Sequence, residues 1–282
     1  MSNRFSLAYL TVPGCTPPEQ VRIAAAAGYD FVGLRLIPLG VSGEPAVDPV
    51  TPALIRATRC ALNDTGLRVL DIELARILRD VAPQCFLPAM AAAAELGARQ
   101  MICSAWTTVR NDRAFIVERF AEICDLAAPF GLTVNLEYPA FSRLTCLEDA
   151  TDILRAARCP NQGLLVDTLY YHFSHGRAAA IAALPRQWFN LLHLCDSVRA
   201  VPATRDEMIR IAREERLYPG EGSIDFAAIT AALPPVPIAI ELPNARHLAA
   251  LGPEGHARAC LDAARACLAF RPAAAPRSSH AA

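Results

Sequence analysis

The sequence has no cysteine pair in CxxC spacing, no run of lysine or arginine, and no apolar stretch long enough to span a membrane. Each absence narrows what the chain can do. The ten cysteines stand singly, at positions such as Cys60, Cys103, Cys124 and Cys195, so the paired thiols of zinc and disulfide-exchange motifs are missing. Isolated cysteines are expected to behave as small buried apolar side chains, which fits a reducing compartment. Formal net charge is −1 at a sequence pI near 6.6, and no basic stripe offers itself to a phosphate backbone, so nucleic acid is excluded as a partner. Pro, Gly or charge breaks the apolar stretches within about ten residues, short of the roughly 18 to 20 that a membrane span needs. The opening MSNRFSLAYLTVPG runs straight into a strand without the basic, apolar and small-residue order of a signal peptide, which points to the cytoplasm.

What is present is ample apolar material, 53% of 282 residues against 20% charged. One large core can therefore offset chain entropy, and the length suits the roughly 250 residues of a single (β/α)8 barrel. Short β-branched runs alternate with Ala-rich segments: FSLAYL (5–10), FVGLRL (31–36), LRVLDIEL (67–74), QMICSA (100–105), LTVNLEY (132–138), GLLVDT (163–168), NLLHLC (190–195) and PIAIEL (237–242). Between the first two, Thr16 can cap a helix, Pro17 suits its first turn, Glu19 completes a capping box and Gly28 ends it. Thr51, Pro52 and Gly66 repeat the scheme before the third. Eight such units close most economically as an α/β barrel over residues 1–270, followed by a disordered Pro, Ala and Ser-rich tail at 271–282. The doubly wound alternative predicts a Gly-rich phosphate turn after the first strand, and TVPGCTPPE is not GxGxxG.

The polar residues that interrupt the last four strands fall at or near their carboxyl ends: Glu137, Asp167, His193 and Glu241. Any one could be a helix cap, an ion-pair partner or a structural histidine. Four on consecutive strands of one barrel converge on one mouth, where three carboxylates and an imidazole make a hard, anionic donor set. That set suits one Mn2+, Mg2+ or Co2+, with Zn2+ also allowed.

The segments AAAAGYDFVGLRL (24–36), NLEYP (135–139), LLVDT (164–168), HLCDS (193–197), YPGEGSIDF (218–226) and IAIELPN (238–244) resemble the xylose isomerase-like TIM barrels over nearly the whole chain. That family includes sugar phosphate isomerases and epimerases, inosose and dehydroshikimate dehydratases, and endonuclease-like members. The resemblance implies that Glu137, Asp167, His193 and Glu241 bind the metal, and that Glu137 and Glu241 also serve as catalytic base and acid about the reacting carbon. It implies an isomerase or epimerase of a small keto sugar or sugar phosphate, working through an enediolate. A dehydratase of an inosose or dehydroshikimate-like substrate is the alternative, because the same enolate can expel a β-hydroxyl. Arg216 is the family's candidate for a substrate hydroxyl, carboxylate or phosphate. Asp196 and Glu221 stand either as orienting partners of the ligands or as loop residues. Relatives commonly carry a His three residues after the Asp of the sixth strand; here Tyr170 occupies that place, leaving His172 or His175 for the role. Glu73 and Arg35 can reach the same pocket or pair with each other. Six histidines are too few for a multi-zinc endonuclease centre. Retention of all four ligands argues against a non-catalytic sugar-binding barrel, and the apolar content permits a homo-oligomer.

Overall fold

A computed structural model describes residues 3–41, 43–108, 112–198 and 200–269. The tail expected to be disordered, 271–282, lies outside the described residues. Eight strands form a closed parallel barrel in chain order: β1 (Phe5–Leu7), β2 (Phe31–Arg35), β3 (Arg68–Ile77), β4 (Gln100–Ala105), β5 (Thr133–Glu137), β6 (Gln162–Asp167), β7 (Leu192–Leu194) and β8 (Ile238–Ile240). Closure is made by β1 on β8, with Phe5 opposite Ile238 and Leu7 opposite Ile240. The helices between strands are α1 (Pro17–Ala27), α2 (Pro52–Thr65), α3 (Leu87–Glu95), α4 (Arg113–Ala127), α5 (Leu147–Ala157), α6 (Thr168–Phe173), α7 (Ala178–Ala182), α8 (Arg205–Glu214) and α9 (Phe226–Ala232), with α10 (Ala245–Ala269) after β8.

Local chemistry sets these boundaries. At the start of α1 the Glu19 carboxylate accepts the Thr16 backbone N–H at 2.8 Å, completing the capping box, and Gly28 ends the helix at φ 91°, a conformation open to glycine without a Cβ clash. Thr51 accepts the Leu54 N–H at 3.4 Å, and α2 stops at Gly66. Every other residue along a strand faces outward, except where β3 shifts register against β4 between Ile72 and Ala75. Leu7, Val32, Val134, Leu164, Leu192 and Ile240 are buried beneath the helices, each such side chain stabilising the fold by roughly 1.5–3 kcal/mol. The intervening residues fill the barrel, where Ala8, Phe31, Leu70, Ile102, Leu165, Leu191 and Ala239 form a smaller apolar cluster.

The interior also holds polar groups. Asn135 donates to Gln100 Oε1 at 2.9 Å and accepts from Asn190 Nδ2 at 2.9 Å. Gly163 makes room for this chain of amides, since a Cβ there would lie 2.3 Å from Asn135 Oδ1. The cysteines are all free. Cys103, Cys124, Cys195 and Cys260 are buried as expected, but Cys60 and Cys85 are exposed on helical and loop surface, so the reading of isolated cysteines as buried apolar groups fails for Cys60. No helix among the described residues is long and apolar enough to cross a membrane.

Candidate metal centre

Strand register delivers the four polar residues to one rim. Glu137 is the last residue of β5 and Asp167 the last of β6; Asp167 lies opposite His193 in β7, and Glu241 follows the end of β8. Each offers a ligand atom, and these atoms all lie within 4.8 Å of one another. His193 Nδ1 sits 3.4 Å from Glu241 Oε2 and 3.5 Å from Glu137 Oε1. None of the four is more than 6% exposed.

Three buried acids around one imidazole would repel one another without a cation. The electrostatics record that strain. Burial pushes the Glu137 carboxyl up to about 7, against the pull of His193 and with the push of Glu241. Burial also raises Asp167, opposed mainly by Arg216. Burial would raise Glu241 too, but His193 and Arg216 outweigh it and hold that carboxyl well below the usual range. Both ring nitrogens of His193 and Oε1 of Glu137 are buried with no hydrogen-bond partner. Buried polar atoms rarely go unanswered, and three of them aimed into one cluster of anionic donors fit a divalent cation. The residues present suit such an ion.

Arg216 stands behind this cluster rather than in front of it. Its guanidinium is fully buried and spends its donors on Asp167 Oδ2 (2.8 Å), Glu241 Oε2 (2.8 Å), the carbonyls of Glu241 (3.0 Å) and Ala212 (2.9 Å), and the Tyr170 hydroxyl (3.3 Å). Every side of the guanidinium thus faces a group of the fold, and in this geometry Arg216 braces Asp167 and Glu241. Cys195 Sγ, 3.4 Å from the same guanidinium, and the Tyr170 hydroxyl complete that brace, and neither was singled out from the sequence.

Asp196 takes the second of its two readings, as a loop residue. Its two oxygens accept the backbone N–H groups of Ser197, Gly220, Gly222 and Ile224 at 2.8–3.1 Å, which fills its lone pairs and pins the YPGEGSI loop. Glu221 belongs to the same loop, accepting from the Tyr218 N–H at 3.2 Å. His172, half-buried in α6, donates from Nε2 to the Val198 carbonyl at 3.0 Å. Its ring ties two loops together. Arg35 lies between Glu73 Oε1 (3.6 Å) and Glu44 Oε1 (3.5 Å) with its guanidinium 4.8 Å from the Tyr9 ring centre, so the buried ion pair that the sequence left open is present. An aromatic wall of Trp106, Phe141 and Tyr170, with ring centres 5.8 and 5.6 Å apart, stands past the ends of β4 to β6.

Comparison with known proteins agrees with this architecture. The chain is 29% identical over 119 residues to an inosose isomerase from Bacillus velezensis, covering 41% of this chain and 40% of that protein. It is 26% identical over 244 residues to a 3-dehydroshikimate dehydratase from Pseudomonas aeruginosa, covering 80% of this chain and 35% of that one. The matched region thus spans well under half the length of either relative. A crystal structure of the IOLI protein with a bound zinc atom superposes with a TM-score of 0.77 at 16% identity, covering 94% of this chain and 98% of its own. The family model described as the xylose isomerase-like TIM barrel matches residues 21–267, and the chain belongs to that family.

Proposed function

We propose that this chain is a divalent-metal-dependent isomerase or epimerase of a small polyhydroxylated keto substrate. The observation that carries the reading is the convergence of Glu137, Asp167, His193 and Glu241 from four consecutive strands into one buried cluster. A bound Mn2+, Mg2+, Co2+ or Zn2+ would act as a Lewis acid on the substrate carbonyl and its neighbouring hydroxyl, lowering the barrier by several kcal/mol. The zinc in the IOLI structure supports a divalent ion of this type. The chain contains no lysine, so a lysine imine is not open to it as a means of activating a carbonyl.

The proton chemistry falls to the glutamates. One of Glu137 and Glu241 takes the proton from the carbon between carbonyl and hydroxyl, and the C–H electron pair moves into the carbon–carbon bond as the carbonyl oxygen gains charge. The other returns a proton, to the opposite face in an epimerisation or, in an isomerisation, to the former carbonyl carbon while the neighbouring hydroxyl passes its proton to the former carbonyl oxygen and becomes the new carbonyl. A placed base and acid contribute on the order of 10² to 10⁴ in rate. Arg216 holds Glu241 and Asp167 in position, and burial of the cluster keeps bulk water from the carbanion.

A second reading, dehydration of a cyclic keto-polyol, draws support from the reach of the dehydratase match, 80% of this chain against 41% for the isomerase. Incubation with ketoses, inososes and dehydroshikimate in heavy water separates the two. Deuterium in the recovered substrate or its isomer supports the first reading, loss of water supports the second, and neither outcome in metal-loaded protein refutes both. Glu241→Gln should sharply lower the bound metal found by elemental analysis; unchanged content removes Glu241 from the centre.

A further inference from the structure

Among the described arginines at the carboxyl ends of the strands, Arg143 in the loop after β5 is answered by Asp112, and Arg216 and Arg35 have their charges answered as well. Arg216 is bound by Asp167 and Glu241, and Arg35 by Glu44 and Glu73. Arg76, at the end of β3, has no carboxylate within 4 Å among the described residues. Its only hydrogen bond there is a long one, 3.4 Å from Nη2 to the Leu39 carbonyl.

Register fixes where this charge lies. Arg76 pairs with Ser104 of β4, and Ser104 pairs with Glu137 of β5. Arg76 is therefore level with Glu137 and two strands away, roughly 10 Å along the rim at about 4.8 Å per strand. Leu74, Arg76 and Leu78 alternate onto one face and line a cavity of about 440 Å³, while Ala75 and Ile77 between them belong to the outer core. Leu74 packs against the barrel's interior cluster, which puts the shared face on the inner side. The remaining walls are mostly apolar, Leu36, Val81 and Phe86 among them, with Asp48 the one carboxylate of the lining, so the guanidinium and Asp48 are the charges an entering group would meet. Burial, and after it Arg35 and Arg213, make it harder for Arg76 to hold its proton, with Glu44 acting the other way.

We propose that Arg76 binds an anionic group of the substrate, a carboxylate or a phosphate carried several bonds from the carbon that the glutamates address. This deepens the proposed function and rests on it, because it takes the cavity to be the far end of the same substrate site. Arg76 then selects sugar phosphates or keto acids over neutral ketoses.

The test measures binding by calorimetry on metal-supplemented protein with two matched pairs of probes: quinate against myo-inositol, and fructose 6-phosphate against fructose. Charge-assisted bonds of this kind are worth about 10- to 100-fold in affinity. The natural protein should prefer the anionic member of one pair by that factor, and which pair responds identifies the group. In Arg76→Gln the ratio should collapse to within about threefold, while Arg76→Lys, which keeps the charge and serves as the folding control, should retain part of it. Absence of preference in both pairs, or a preference that survives Arg76→Gln, overturns the assignment. Binding ratios need no turnover, so a failure of the isomerase reading in heavy water is told apart from a failure of this one.

Discussion

Asp71 lies inside the barrel on β3, 1% exposed, with Oδ2 lacking any hydrogen-bond partner and no cation paired to it among the described residues. Burial pushes its carboxyl from 3.8 up to about 7, with Glu73, Glu241 and Glu137 adding to the push and His193 opposing it. The unfolded chain surrenders this proton as the pH passes 3.8, whereas the fold keeps it to about 7. Between those values the folded state binds more protons, so stability falls as pH rises and levels off above the folded value. At about 1.4 kcal/mol per pH unit the gap amounts to about 4 kcal/mol. Asp71→Asn stays neutral throughout and leaves a similar shape. It should exceed the parent by about 2 kcal/mol at pH 5 and about 4 kcal/mol at pH 8, a difference of about 7 °C in Tm for a chain of this size. Urea unfolding of chelator-stripped protein at both pH values measures it. An advantage that stays the same at pH 5 and pH 8 would refute the argument, because only a titrating group makes the gap grow.

Arg216→Met keeps an unbranched apolar stem but removes the guanidinium that compensates Asp167 and Glu241, and should cost about 3–5 kcal/mol together with a 10- to 100-fold loss of metal affinity. Urea unfolding and a metal titration measure the two effects, and a loss under about 1 kcal/mol with affinity intact would mean that Arg216 does not brace the ligands. Gly163→Ala places a methyl 2.3 Å from Asn135 Oδ1 and 2.6 Å from Asn190 Nδ2, which forces the amide chain apart at a cost of about 1–3 kcal/mol. A melting temperature equal to the parent's would show that the barrel floor can yield.

What the sequence made legible follows from how each group is delivered. The expected span of β4 matches the structure to the residue, and those of β5 and β6 differ by a residue at either end, because short apolar runs bounded by polar and helical segments leave little choice of where the strand lies. A side chain at the end of such a strand inherits a known direction, so Glu137, Asp167, His193 and Glu241 could be brought together from spacing and family resemblance. Asp71 carried a weaker signal of the same kind: in LDIE it alternates with Glu73 onto the inner face, and only Glu73 was picked out.

Residues that arrive from loops had no such rule. RIAREERLYPG offers several arginines at similar spacing, and nothing local distinguishes the buried one. Arg216 is selected by tertiary contacts: its N–H bonds the Pro243 carbonyl, while the next residue, Leu217, pairs with Asp196 and turns the chain inward behind β8. That turn exists because Asp196 gathers four backbone N–H groups, three of them from the loop 220–224, more than twenty residues away. Arg216 was read as facing the substrate and Asp196 as a partner of the ligands or a loop residue; both face the protein. The distinction is physical: a charge that finds its full complement of partners within the fold has none left to offer, whereas Arg76 has no carboxylate within 4 Å among the described residues and only a long hydrogen bond to the Leu39 carbonyl.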